Sequence, residues 1–195
     1  MTAPTIMRRV WAMPCSDTLS IKPIRQWAQA LLRGCEAIVD PFARNCRLAH
    51  WRNDLSFDTS AEYHMDAEEF LVWLNEEKGV AADAIIFDPP YSPRQITECY
   101  QGVGKPVTTE DTQSGALYRR VRDAAHDILR PGGIVLSFGW NSTGMGVGRG
   151  YEMFDMLIVC HGGAHNDTIC IAERKTMPPQ MGLFVDLQQQ GDEEE

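Results

Sequence analysis

The chain has 195 residues, enough for one well-buried α/β domain and too few for two of ordinary size. Its net charge of −9 argues against a generic nucleic-acid binder, whose affinity rests on neutralising phosphates; no apolar run approaches the ~20 residues of a membrane span, and residues 1–10 lack a signal-peptide core, so a cytoplasmic protein with no membrane partner is expected. The six cysteines are scattered without a Cys-x-x-Cys pair, which argues against a disulfide framework or a zinc site, and no metal is assigned.

Residues 1–17 show no clear period and are assigned no element, beyond a short strand or packed arm at Val10-Trp11-Ala12-Met13. Ile24, Trp27, Ala28, Leu31 and Leu32 then fall at helical spacing, with Pro23 suited to the first turn and Gly34 to the stop. Residues 35–40 read as the first buried strand. Only about eight residues separate Asp40 from the next candidate strand, 49–54, against the roughly a dozen that a parallel crossover needs, so the helix between them is expected to be cut to a turn. A third short strand, 62–65, leads to Asp66 and a helix with Phe70, Leu71 and Leu74 inward and Gly79 as its end.

Ala84-Ile85-Ile86-Phe87 is continuous and apolar, the pattern of a strand buried on both faces of a parallel sheet, and Pro89 and Pro90 forbid its extension past Asp88. A residue before proline is held extended, which leaves the Asp88 carboxylate and the Pro89 carbonyl outside regular backbone pairing. Two acceptors and the Tyr91 ring thus share one turn. That set suits a planar amino group on a heteroaromatic base, whose two N–H bonds the acceptors take while the ring stacks; a strand-end turn capped by Asp88 is the alternative. Residues 92–114 lack a period and read as a lid or binding loop. A helix follows through Leu117, Val121, Ala125 and Ile128, with Arg119, Arg120 and Arg122 on its outer face, then a turn at 130–133 and a buried strand at 134–138. The glycine-rich stretch 144–150 is read as a mobile loop that leaves Arg149 available to a phosphate. Strands at 154–159 and 167–172 form a hairpin, beside which Cys160, His161, His165 and Cys170 lack the spacing of a zinc site. Residues 1–176 are expected to form one domain. Residues 177–195 are expected to be a polar, acidic tail, in which 182–187 is apolar enough to dock on its own or a neighbouring subunit and leaves a homodimer open.

Asp88-Pro89-Pro90-Tyr91 resembles the catalytic (D/N/S)-P-P-(Y/F) motif of the DNA amino-methyltransferases. The resemblance implies a Rossmann-like class I methyltransferase fold: an α/β sheet, mostly parallel with an antiparallel terminal hairpin, its helices reduced after strands one and two. It implies S-adenosyl-L-methionine as cofactor and DNA as partner, with methyl transfer to adenine N6; cytosine N4, guanine N2 of RNA, and a catalytically weak cofactor- or protein-binding module are the alternatives. Small stand-alone phage or prophage enzymes are the nearest in type. Ser20-Ile21-Lys22-Pro23 is similar to the family's motif X, which gives Ser20 and Lys22 to the cofactor carboxylate, an ordinary helix cap beside a surface lysine being the other reading. Asp40-Pro41-Phe42 resembles motif I, with Phe42 flanking the cofactor or simply packed in the core. Arg44 and Cys46 stand at that motif's glycine positions, and Asn45 between them is expected to take the left-handed conformation. Asp54 matches the acidic residue that accepts the ribose hydroxyls, and Asp66 the residue near the adenine amino group or a plain helix cap. With no separate recognition domain, Arg94, Lys105 and Arg149 are expected to contact nucleic acid, and Arg44, Arg47 and Arg52 leave a basic face on an acidic body open.

Overall fold

A computed structural model describes residues 5–104, 114–163 and 165–176. Seven strands form one mixed sheet in the order β1-β6-β7-β5-β4-β2-β3. These are β1 (Ile6–Trp11), β2 (Ile38–Asp40), β3 (Trp51–Arg52), β4 (Ala82–Phe87), β5 (Leu129–Gly139), β6 (Tyr151–Cys160) and β7 (Thr168–Lys175). Every neighbouring pair is parallel except the two that involve β7. The helices are α1 (Lys22–Leu31), α2 (Ala67–Glu76), α3 (Pro93–Gly102) and α4 (Ser114–Ile128).

All six residues of β4 are buried, and their alternation divides the core. Ile85 and Phe87 face Phe70, Leu71 and Leu74 of α2 and Val121, Ala125 and Ile128 of α4. Ala84 and Ile86 face Ile24, Trp27 and Ala28 of α1. Covering both faces is what lets a parallel strand read as one unbroken apolar run.

The short β2–β3 connection holds no helix, as its length requires. Three expected strands, 35–40, 49–54 and 62–65, are shorter than expected, and side chains explain the first and the last. The Asp83 carboxylate accepts from the Glu36 and Ala37 amides at 2.7 and 2.9 Å, so those residues bond a side chain before β2 begins. The third strand reduces to a single bridge between Asn53 and Tyr63, because Asn53 Oδ1 takes the Met65 amide at 2.9 Å. Fully buried Asn53 also donates to the Pro41 and Met65 carbonyls, locking the turn after β2 to the entry of α2.

Three segments differ in kind from the expectation. β1, where only a short strand or arm was read at residues 10–13, is a full edge strand parallel to β6; exposed on nearly every residue, it carries no alternation to read. Residues 93–102 are helical rather than irregular: Ser92 caps α3 by accepting from Gln95 N at 3.3 Å, proline stands in the first turn, and Ile96 is fully buried. The stretch 144–150 is tethered. Glu173 of β7, itself buried, accepts from the amides of Met145 at 2.7 Å and Gly146 at 3.0 Å. Residues 177–195, including the apolar run 182–187, lie outside the described residues.

Candidate active site

A cavity of about 540 Å³ opens at the C-terminal ends of β2 and β4, where open α/β sheets hold their ligands, and its size suits a small molecule. The proline pair ends β4 there and turns Asp88 to Tyr91 into the wall. Partly buried Asp88 accepts the Tyr91 hydroxyl on Oδ1, and that hydroxyl also lies 2.9 Å from Thr18 Oγ1. Burial pushes the Asp88 carboxyl up to about 6, against the Tyr91 and Thr18 hydrogen bonds that favour its charged form. Burial and the adjoining carboxylate together hold the Tyr91 phenol far above its ordinary range.

The turn itself is clamped. The Tyr118 hydroxyl of α4 donates to the Pro90 carbonyl, and the Tyr91 amide donates to Gln95 Oε1 at 2.6 Å. The Pro89 carbonyl receives no hydrogen bond among the described residues. The Tyr91 ring stands 5.5 Å from the Trp140 ring at 60°, with its hydroxyl turned back onto Asp88. Instead of an open stacking platform, the turn presents a tyrosine folded over the acceptor.

Pro41, Phe42, Asn45, Asp54 and Asp66 also line the cavity. Asp54 accepts from Arg44 N at 3.1 Å and Ser56 N at 2.9 Å. Asp66 does two things: Oδ1 caps α2 through Glu68 N at 3.0 Å, and Oδ2 accepts the Tyr100 hydroxyl of α3 at 2.7 Å. Asp40 is buried beneath the cavity and does not line it. Its Oδ1 takes the Phe42 amide at 3.0 Å while Oδ2 is buried without a partner among the described residues, and burial, with Asp88 and Asp54 nearby, drives its pKa well up.

Other expected site residues are not brought here. Ser20 and Lys22 are exposed and do not line the cavity; Ser20 bonds back to the Asp17 carbonyl at 2.6 Å. Ser16 and Thr18, from the same segment, line it instead. The left-handed residue after β2 is Arg44, at φ 47°, in place of Asn45. Asn45 Oδ1 accepts from Ser60 N at 3.0 Å, which fixes it in another role.

Of the three basic residues expected to meet nucleic acid, two are paired with acids and one lies outside the described residues. Arg94 is paired with Glu98 at 2.8 Å on the exposed side of α3. Arg149 is paired with Asp123 at 2.8 Å and held by the tethered loop, so it is not the free cation a mobile loop would offer. Lys105 lies outside the described residues. Arg52 is paired with Glu62, and Arg120 with Glu68. Arg122 is half-buried rather than outward, its guanidinium 5.8 Å from the Phe87 ring centre. At the hairpin, both ring nitrogens of His161 are engaged, by the Ala12 carbonyl at 2.9 Å and Thr168 Oγ1 at 2.8 Å.

Thr18, Gln95, Tyr100 and Tyr118 were missed from sequence. Ser92-Pro93 is a helix-entry signature that would have exposed α3 and the shared face of Gln95, Ile96 and Tyr100. No local signal marks Thr18 or Tyr118, which reach the turn from elements distant in sequence.

No protein-family model matches the chain, and no curated protein matches it in sequence. Among solved structures it is similar to NSun6 from Pyrococcus horikoshii, in a crystal structure with SFG, at 17% identity and TM-score 0.43, covering 89% of this chain and 48% of that one. It is also similar to a methyltransferase homologue from Pyrococcus horikoshii, at 12% identity and TM-score 0.41, covering 88% and 61%. The chain therefore spans about half the length of the first and three fifths of the second. At these identities and TM-scores the likeness assigns no activity.

Proposed function

We propose that the chain transfers a methyl group from S-adenosylmethionine to the N6 amino group of adenine in DNA. The observation that carries this reading is the Asp88-Pro89-Pro90-Tyr91 turn, ending a buried strand and opening onto a cavity of about 540 Å³. The donor set fits the cofactor: Asp54 and Asp66 offer acceptors to ribose hydroxyls and a purine amino group, Phe42 offers an apolar edge, and the acidic lining favours a cation. When bound, the cofactor supplies an electrophilic methyl group on a positively charged sulfur.

The protein's own work is on the amino group. An exocyclic nitrogen is a poor nucleophile because its lone pair is conjugated into the ring. Asp88 Oδ1 and the Pro89 carbonyl accept its two N–H bonds, drawing the nitrogen toward tetrahedral geometry and aiming its lone pair, so that orientation supplies much of the acceleration. With its carboxyl near 6, Asp88 is mostly ionised at neutral pH and accepts the proton that the methylated nitrogen sheds. The amino group takes the place on Asp88 that the Tyr91 hydroxyl holds, which frees the Tyr91 ring to stack. The adenine must first leave the duplex, at a cost of a few kcal/mol.

One observation favours the alternative of a catalytically weak binding module: Asp88 is already satisfied by a tyrosine of its own turn. The deciding experiment is labelled methyl transfer to unmethylated DNA, RNA and protein in parallel, followed by nucleoside analysis. N6-methyladenine from DNA is expected. Label in cytosine, guanine or RNA alone would move the substrate, and no transfer to any acceptor would overturn the enzyme reading.

A further inference from the structure

The cavity's charge is one-sided. Asp54, Asp58, Asp66, Asp88 and Glu98 all line it, and among the described residues the one lysine or arginine in its wall is Arg44. Arg44 is also the one non-glycine residue described with a positive φ, 47°, a conformation that carries strain for any side chain with a Cβ. Strain of this kind persists where the surroundings enforce it, and here they do. The Arg44 amide donates to Asp54 Oδ2 at 3.1 Å, and its guanidinium crosses the cavity rim to the Ser16 carbonyl at 2.6 Å. That bond engages one of the five guanidinium N–H groups. Ser16 stands two residues before Thr18, whose hydroxyl meets the Tyr91 hydroxyl that bonds Asp88, so the guanidinium is tied to the segment that flanks the Asp88 turn.

S-adenosylmethionine carries two positive centres, sulfonium and ammonium, and one negative centre, the carboxylate at the end of its amino-acid tail. If the sulfonium methyl faces Asp88, that tail lies at the same end. Its ammonium is welcome among the acids, whereas its carboxylate is repelled by them unless it meets a cation. We propose that Arg44 binds the amino-acid carboxylate of the cofactor, a role that the exposed Ser20 and Lys22 do not fill. A residue at which glycine would be unstrained thus trades backbone ease for a planar, doubly donating cation. This inference rests on the cofactor reading above.

Calorimetry with two nucleosides tests it. S-adenosylhomocysteine retains the carboxylate; 5′-methylthioadenosine lacks the whole amino-acid tail. Arg44→Gly removes the cation and relieves the backbone, so the variant should melt no lower than wild type. It should bind S-adenosylhomocysteine about 10- to 100-fold more weakly while holding 5′-methylthioadenosine within about two-fold, and Arg44→Lys should recover part of the loss. Unchanged S-adenosylhomocysteine affinity in Arg44→Gly, or equal weakening of both nucleosides, would overturn the assignment and leave the cofactor reading standing. Wild-type protein that binds neither nucleoside would overturn both.

Discussion

Replacing Asp88 by Asn should stabilise the fold while removing its charge from the site. The carboxyl is raised from 3.8 to about 6, chiefly by burial, so the folded state is penalised whenever this group is ionised. That difference corresponds to about 3 kcal/mol as an upper bound, and the partial exposure of the side chain reduces it to about 1–2 kcal/mol. Above pH 6 Asp88 is charged in folded and unfolded chains alike, and the wild type bears the whole penalty. As pH falls from 6 toward 3.8 the folded protein takes up the proton first, and the penalty fades; below 3.8 both states are neutral and it is gone. The amide oxygen of Asp88→Asn still accepts the Tyr91 hydroxyl, so the turn keeps its bond. For a chain of this length the gain is about 2–8 °C in Tm at pH 8. Thermal melts of both proteins at pH 8, 6 and 4 measure it, and the gap should close with acid. A gap of constant size across that range, or a variant that melts lower at pH 8, would refute the burial argument.

Asp88→Ala should cut single-turnover methylation about 100-fold or more while leaving S-adenosylhomocysteine affinity within a few-fold, because the lost acceptor acts in the transition state. A folded variant with the wild-type rate would end the catalytic reading. The wild-type rate should fall as pH drops through about 6, where Asp88 protonates. Tyr91→Phe should keep most of the rate and move the acid limb of kcat/KM upward, since the lost hydroxyl bond favoured the charged carboxylate of the free enzyme; a kcat/KM limb that stays put or moves down contradicts the bond. Asn53→Ala should lower stability by about 2–4 kcal/mol, read by denaturant melts, since it strands the Pro41 and Met65 carbonyls and the Met65 amide in the core. A loss below about 0.5 kcal/mol would show those bonds replaceable.

What was legible in the sequence was what one segment decides alone. The apolar run before Asp88 specified a strand buried on both faces, and the prolines fixed its end. The eight-residue spacing after Asp40 excluded a crossover helix, and helical spacing found α1 and α2 with their inward faces. Features that depend on a distant partner were not legible. β1 owes its existence to β6 and has no buried face of its own. Arg149 was read as free because its partner Asp123 stands on another element, and Ser20 and Lys22 were placed by motif spacing although the chain turns Thr18 inward instead. Local chemistry was also overlooked at α3, where the Ser92-Pro93 cap outweighed a weak apolar pattern.

The placement of β7 between β5 and β6 dictates an order of assembly during synthesis. β3, β2, β4 and β5 can pair as soon as they are made, but β6 is made before β7 and meets the sheet only through it. β1 touches the sheet only through β6, with Ile6 paired to Asp155 across most of the chain. The first strand to leave the ribosome therefore has no partner until β6 emerges and no place in the main sheet until β7 does, a wait on the order of ten seconds or more at about 5–20 residues per second. Until β7 arrives, β5 presents an open edge, the kind of surface on which nascent chains associate wrongly. A chain cut just before Thr168 would keep the whole Asp88 turn, yet β6 and β1 would have no sheet to join.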